Sequence, residues 1–342
     1  MFTFDRVARV SRYLLLIAAG MVPVLPAPAP VPAIRIYAID TEGGKSTLYV
    51  SPSGESMLVD AGYAGNNGRD ADRILAAAKA AGIQRIDYLV VTHFHADHMG
   101  GVVPLAARIP IGRFCDHGET VDGSAGFAPY AAERAKHPHT VLRAGDTIPI
   151  RGLDVRLVAA AGEAIAKPLP GGGQANPLCS SYKALDPDPG ENARSLALLI
   201  TFGKFRVADF GDLYWNQEYE LACPVNKVGA VDLYMTTHHG TKTSGLPQLV
   251  QSIHPAAAIM NNGAKKGGSV QAWTTIRNSP GLADIWQLHF SNEGGAEHNA
   301  PADFLANPVE ACEGKWIEVT AKADGAFTIH NSRNGFEKTY RK

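Results

Sequence analysis

Four metal-capable side chains fall within six consecutive residues of this chain, His93-Phe94-His95-Ala96-Asp97-His98. They follow Ile86-Asp87-Tyr88-Leu89-Val90-Val91-Thr92, a nearly continuous apolar run of the kind expected of a strand buried on both faces. Gly100-Gly101 close the segment. In an extended backbone His93, His95 and Asp97 share one face by the period of two, and His98 points elsewhere. One segment can therefore feed two adjacent metal ions. Imidazole and carboxylate without thiolate suit zinc, iron or manganese in an open hydrolytic site rather than a closed structural one. A merely solvated loop has no need of this composition.

The surrounding composition is that of an ordinary globular chain. It has 342 residues, 45% hydrophobic and 19% charged, which excludes disorder, collagen and coiled coil. With 32 Lys+Arg against 33 Asp+Glu, no global charge favours long nucleic acid or an anionic membrane. The expected partner is a small-molecule substrate, and the oligomeric state is left open. Arg6, Arg9 and Arg12 precede an apolar run over 13–25 and a Pro/Ala stretch over 26–33, the layout of a secretory signal. The run is short for a span and is broken by Pro23. The alternative is a retained N-terminal anchor.

Residues 1–33 are therefore read as signal peptide and linker, with candidate cleavage after Ala27, Ala29 or Ala33. The expected location is the bacterial periplasm or exterior, with no stable membrane span after cleavage. Residues 34–300 are read as one domain and 301–342 as a C-terminal β extension packed on it. Four cysteines, Cys115, Cys179, Cys223 and Cys312, are too few for a disulfide scaffold and form no CxxC pair. Cys179 and Cys223 lie in loop-like contexts compatible with one bridge, and three connectivities exist.

Strands are expected at 33–38, 46–50, 56–60, 86–92, 112–115, 231–236 and 256–260, with helices at 69–81, 101–107 and 246–253. Hairpins are expected from 147–150 with 155–159, turning at Gly152, and from 195–202 with 205–210, turning at Gly203-Lys204. The Pro-, Gly- and Asn-rich stretch 163–191 reads as a long loop. The tail reads as strands turning at Asp324-Gly325 and Asn334-Gly335. No repeat of solenoid length occurs. The alternation predicts an α/β fold of two sheets with helices outside.

The segment 92–101 resembles the HxHxDH signature of the metallo-β-lactamase superfamily, and other motifs follow in that family's order. Asp60-Ala61-Gly62 resembles its early aspartate turn. Phe210-Gly211-Asp212 closes a hairpin like the family's bridging aspartate, and Thr237-His238-His239-Gly240 lies where its last histidine stands. The match spans about residues 34–265. Asn192, Gly211-Asp212 and the paired histidines look most like the branch that holds the competence-channel soluble domain and the phosphorylcholine esterases. The resemblance implies an αββα sandwich of two mixed β-sheets with helices on the outer faces. It also implies two divalent cations, zinc first, with manganese or iron as alternatives.

By the same resemblance His93 and His95 hold the first ion, Asp97 and His98 the second, Asp212 bridges, and His239 completes the second site. His238 is left to face substrate. The chain departs from the family at the third histidine, whose place Asn192 takes, with Glu191 beside it. His117, in Asp116-His117-Gly118-Glu119, is the first substitute; Glu163 and Cys115 are lesser ones.

Two such ions about 3.5–4 Å apart share a water and generate hydroxide near neutral pH. Asp97 would orient that nucleophile and His238 donate to a substrate oxygen. Lys265 and Lys266, in a Gly-rich turn, are candidates for clamping a phosphate or carboxylate. Arg194 and Lys242 flank motif residues, and Trp215, His289 and His298 are candidates for pocket walls. The expected function is an exported hydrolase using a metal-bridged hydroxide on a phosphodiester-type substrate. The alternatives are an amide or ester hydrolase of the β-lactamase or lactonase type and a non-catalytic metal-binding module.

Overall fold

Two mixed sheets pack face to face, and the sequence of each strand says which layer it serves. In this computed structural model residues 1–3 and 32–341 are described; the expected signal segment lies, but for its ends, outside the described residues. No helix among the described residues is long and apolar enough to cross a membrane. The first sheet has the order β17-β16-β15-β1-β2-β3-β4-β5-β6. Its chain-order members are β1 (Ala33–Ala38), β2 (Thr47–Val50), β3 (Ser56–Val59), β4 (Ile86–Val90), β5 (Ile111–Asp116) and β6 (His139–Val141). The tail supplies β15 (Ile317–Lys322), β16 (Phe327–Asn331) and β17 (Glu337–Tyr340), and β15 pairs antiparallel with β1.

The second sheet runs β14-β13-β12-β11-β10-β9-β8-β7. Its strands are β7 (Thr147–Ile148), β8 (Asp154–Ala160), β9 (Ala197–Phe202), β10 (Phe205–Asp209), β11 (Leu233–Met235), β12 (Ala257–Met260), β13 (Asp284–His289) and β14 (Leu305–Asn307). Residues after 300 thus enter both sheets.

Alternate residues of β1 show how the layers are built. Ile34 and Ile36 face the second sheet in a core with Leu157, Leu198, Val207, Met235 and Trp286. The outward Tyr37, and Ile39 just past the strand, instead meet the helices α1 (Arg69–Ala80) and α3 (Val102–Ala106) through Ile74, Ala77 and Leu105. On the far side α5 (Trp215–Ala222), α6 (Pro247–Ser252) and α7 (Val270–Arg277) cover the second sheet through Leu221, Leu249 and Ile276. Here α2 is Ala96–Met99 and α4 is Phe127–Arg134. The result is the αββα sandwich.

Several expectations change at their edges. β4 stops at Val90, so Val91 and Thr92 already belong to the turn that carries the histidines. The loop 163–191 holds two short strands and a 3-10 turn, Pro177–Ser181. Cys179 and Cys223 are bonded across it, and Cys115 and Cys312 are free. Helices α4, α5 and α7 had no strong apolar period in the sequence, since each is a two-turn element with few buried positions.

The site lies where parallel strands end, the usual place for a ligand in such sheets. β3, β4 and β5 are mutually parallel, as are β10 through β14. Asp60, His93 and His117 leave the first group, and Asp212, His239 and Asn261 leave the second.

Candidate metal centre

Asp97, His98, Asp212 and His239 each offer a ligand atom within 4.8 Å of the others, and all four are buried. His98 Nε2 lies 3.1 Å from Asp212 Oδ2 and 3.3 Å from Asp97 Oδ2. His239 Nε2 lies 3.2 and 3.1 Å from the same two oxygens. The two imidazole nitrogens are 3.3 Å apart. His93 Nε2 is 4.0 Å from Asp212 Oδ2 and 2.9 Å from His95 Nδ1. His238 Nε2 approaches Asp212 Oδ2 at 3.5 Å. Six of the residues singled out by the signature and the later motifs are therefore brought together around Asp212, with His95 at the partly exposed rim.

Backbone geometry makes these approaches possible. His238 and His239 both have positive φ, 52° and 56°, a conformation costly for side chains other than glycine and concentrated at functional sites. Gly211, φ 57°, carries Asp212 over Thr92, and a Cβ there would stand 2.9 Å from the Thr92 Cβ. The carbonyls of Asp97 and His98 accept from the backbone N–H groups of Lys45 and Ala61 at 3.0 and 2.7 Å, pinning α2.

The surrounding hydrogen bonds tie the Nδ1 atom of each imidazole to an outer partner. Asp60 Oδ2 accepts from His98 Nδ1 at 2.8 Å. The Thr92 hydroxyl donates to the same oxygen at 2.8 Å and so accepts from His93 Nδ1 at 3.2 Å. His239 Nδ1 lies 3.2 Å from both the backbone carbonyl oxygen and the side-chain Nδ2 of Asn261. Ser244 Oγ, which donates to the Leu213 carbonyl, accepts from His238 Nδ1 at 3.1 Å. In His93 and His98 Nε2 is left with a lone pair, the tautomer a metal ligand needs, with the other nitrogen tied to an outer partner.

Lone-pair nitrogens crowded against each other and against two carboxylates repel unless a cation lies among them. Without one, protons take that place. Burial opposes the charge on His98, yet Asp212, Asp60 and Asp97 raise its pKa well above the ordinary value. Burial likewise opposes ionisation of Asp97 and Asp212, yet the facing imidazoles of His98 and His239 hold both well below the usual carboxylate range. His238 is pushed down to about 4, chiefly by burial, and is neutral at pH 7. Asp212 Oδ1 and Asn192 Oδ1 are buried without a hydrogen-bond partner. The donor set fits divalent cations.

The remaining sequence candidates divide. Lys266 reaches the cluster and forms an ion pair with Asp97, whereas Lys265 pairs with Glu310 at the surface. His117 does not join it: its Nε2 is bonded to Glu191 Oε2 at 2.9 Å and its ring lies against Phe94. Glu191 also accepts from the backbone N–H of Phe94 and Val121 and from Thr120, so the pair braces the His93–His95 turn. Asn192 begins the helical turn before β9. Glu163 is exposed in a two-residue strand, and Cys115 lies in the intersheet core. Arg194 bonds the Ala161 carbonyl, and Lys242 pairs with exposed Glu293. Trp215 donates to the Lys183 carbonyl at the surface. His298 bonds the Gly294 carbonyl, and His289 enters a separate cluster. Thr92, Ser244 and Asn261 carry no signal in the sequence, because a hydroxyl or carbonyl that bonds the outer nitrogen of an imidazole leaves no spacing signature.

The fold is that of the metallo-β-lactamases. The superfamily's profile matches residues 40–174, which takes in the His93–His98 signature and stops short of Asp212. Over that stretch the chain is similar to the superfamily. Among curated relatives, a metal-dependent hydrolase of Staphylococcus saprophyticus is 34% identical over 87 residues, 25% of this chain and 31% of its own. The hydroxyacylglutathione hydrolase of Acidiphilium cryptum is 33% identical over 118 residues, 34% of this chain and 40% of its own. The chain thus matches well under two thirds of the length of these relatives. Among solved structures, the metallo-β-lactamase fold protein YhfI of Bacillus subtilis has a TM-score of 0.47 at 11% identity, covering 75% of this chain and 96% of that one.

Proposed function

We propose that this protein is an exported metal-dependent hydrolase with a phosphodiester-type substrate. The observation that carries the reading is the convergence of Asp97, His98, Asp212 and His239, from separate segments, with the Nδ1 atoms of both histidines tied to outer partners. Asp97, His98, Asp212 and His239 would hold one divalent cation. His93 and His95 would hold a second and share Asp212, with Asn192 or His238 filling the third histidine's place. Zinc is the first expectation for both. Such cations supply a water-derived nucleophile near neutral pH and polarise the oxygen of the group under attack.

The chain's own residues do the rest. Asp97, kept ionised, accepts a hydrogen bond from the attacking water and orients it. His238, bonded through Nδ1 to Ser244 and 3.5 Å from Asp212 through Nε2, stands at the edge of the cluster, where it would donate to a substrate oxygen. Lys266, with its side chain 36% exposed beside buried Asp97, is placed to bind an anionic oxygen of the substrate. That ammonium favours a phosphodiester over a neutral amide. The Cys179–Cys223 bridge supports export, because disulfides persist in oxidising compartments. A second reading, hydrolysis of an ester or thioester, is supported by the likeness to hydroxyacylglutathione hydrolase.

The test is a substrate panel on metal-reconstituted protein: bis(nitrophenyl) phosphate, a chromogenic cephalosporin, a lactone and a thioester. Preferential turnover of the phosphodiester is expected. Preference for the carbonyl substrates establishes the second reading, and no turnover by metal-loaded protein overturns both.

A further inference from the structure

A second cluster of metal-type donors lies farther along the strand-end edge, and the first site makes no use of it. Asp40 follows β1, His289 ends β13, and Cys312 follows β14. His289 Nε2 is 2.8 Å from Asp40 Oδ1 and 3.8 Å from Cys312 Sγ, and Cys312 Sγ is 3.3 Å from Asp40 Oδ2. Asp40 and His289 are 0% and 1% exposed. Cys312 is partly exposed and forms the wall of an open depression with Glu42, Arg69, Arg73 and Glu310.

We propose that Asp40, His289 and Cys312 form a mononuclear site for a borderline divalent transition metal such as zinc or cobalt, separate from the imidazole–carboxylate cluster. One nitrogen, one oxygen and one sulfur donor is the set such ions select over magnesium and calcium. The open depression beside Cys312 leaves room for a fourth ligand from solvent, so the site is of the three-protein-ligand kind. Charge is balanced around it. Arg73 Nη1 holds the other Asp40 oxygen at 2.8 Å, and its Nη2 bonds Glu42 at 2.9 Å and lies 3.5 Å from Cys312 Sγ. The guanidinium thus screens the carboxylates and sulfur from one another while Asp40 Oδ1 stays directed at His289. Binding would release the thiol proton of Cys312 and whatever proton Nε2 of His289 carries, so occupancy rises with pH. The bound ion would join the exits of β1 and β13 to the segment before β15, linking both sheets.

Cobalt(II) gives the direct test, because the imidazole–carboxylate cluster contains no sulfur. Full-length protein stripped of metal, with the Cys179–Cys223 bridge intact, is titrated with cobalt and read in the near ultraviolet. A thiolate-to-cobalt charge-transfer band is expected in the parent and is expected to vanish in Cys312→Ser and His289→Ala. Cys115 is 2% exposed in the core and serves as the internal control. No band at saturating cobalt, or a band that survives Cys312→Ser, overturns the proposal. A second readout needs no variant: zinc should slow alkylation of the Cys312 thiol by about tenfold or more, reversibly with chelator. Alkylation at the same rate with and without zinc overturns it equally.

Discussion

Asp60 Oδ2 accepts two hydrogen bonds, from His98 Nδ1 and from the Thr92 hydroxyl, each at 2.8 Å. Through the first it sets the tautomer of His98 directly, and through the second that of His93. Asp60 sits at φ 63°, which asparagine also adopts readily. Asp60→Asn should therefore keep the turn while presenting an amide where an acceptor is needed. Metal affinity should fall about 10–100-fold, measured by competition with a chromogenic chelator, with little loss of thermal stability.

His117→Ala distinguishes bracing from ligation. Glu191 is buried with its carboxyl held down to about 2; burial opposes this, and the His117 bond and the Val121 N–H overcome it. Removing the imidazole leaves a buried charge short of its partner, a loss of about 3–5 kcal/mol. Chemical denaturation should show this midpoint shift. Under saturating metal the cation content should stay at the parent level.

The His93–His98 signature was legible because one short segment carries four donors after an unmistakably buried strand. Asp212 and His239 were legible because each closes a strand at the expected order in the chain. The role of His117 was not, since its partner Glu191 is 74 residues away and reached only when β5 and the turn before β9 meet. The same holds more strongly for Asp40 and Cys312, 272 residues apart and joined by sheet order alone. Hairpin and helix positions came within a few residues. The short helices α4, α5 and α7 lacked enough turns for a period to show.

Glu218 gives the fold a pH dependence of definite sign. Burial pushes its carboxyl from about 4.5 up to about 8, against the N–H groups of Leu246 and Gly245 that bond it. Between those values the folded chain keeps a proton that the unfolded chain has released. Stability is therefore full at the acid end of that window and declines as pH rises through about 8. The slope contributed is at most about 1.4 kcal/mol per pH unit. Denaturation midpoints of the parent and Glu218→Gln across pH 5–9 should show the parent falling more steeply by about that slope.

Lys266→Met separates substrate recognition from cation binding. Loss of its ammonium should raise KM for an anionic diester several-fold, about 1–2 kcal/mol in transition-state terms. Metal content should be unchanged. Salt should lower kcat/KM in the parent more than in the variant.

The most direct measurement of the central claim is the cation content of Asp212→Ala, a residue on which His98, His238 and His239 all converge. Equilibrium dialysis with zinc, followed by elemental analysis, should show the variant folded and missing the cations that the imidazole–carboxylate cluster binds in the parent, with phosphodiester turnover lost in parallel. A folded Asp212→Ala protein that retains the parent's full cation content and turnover would contradict the account.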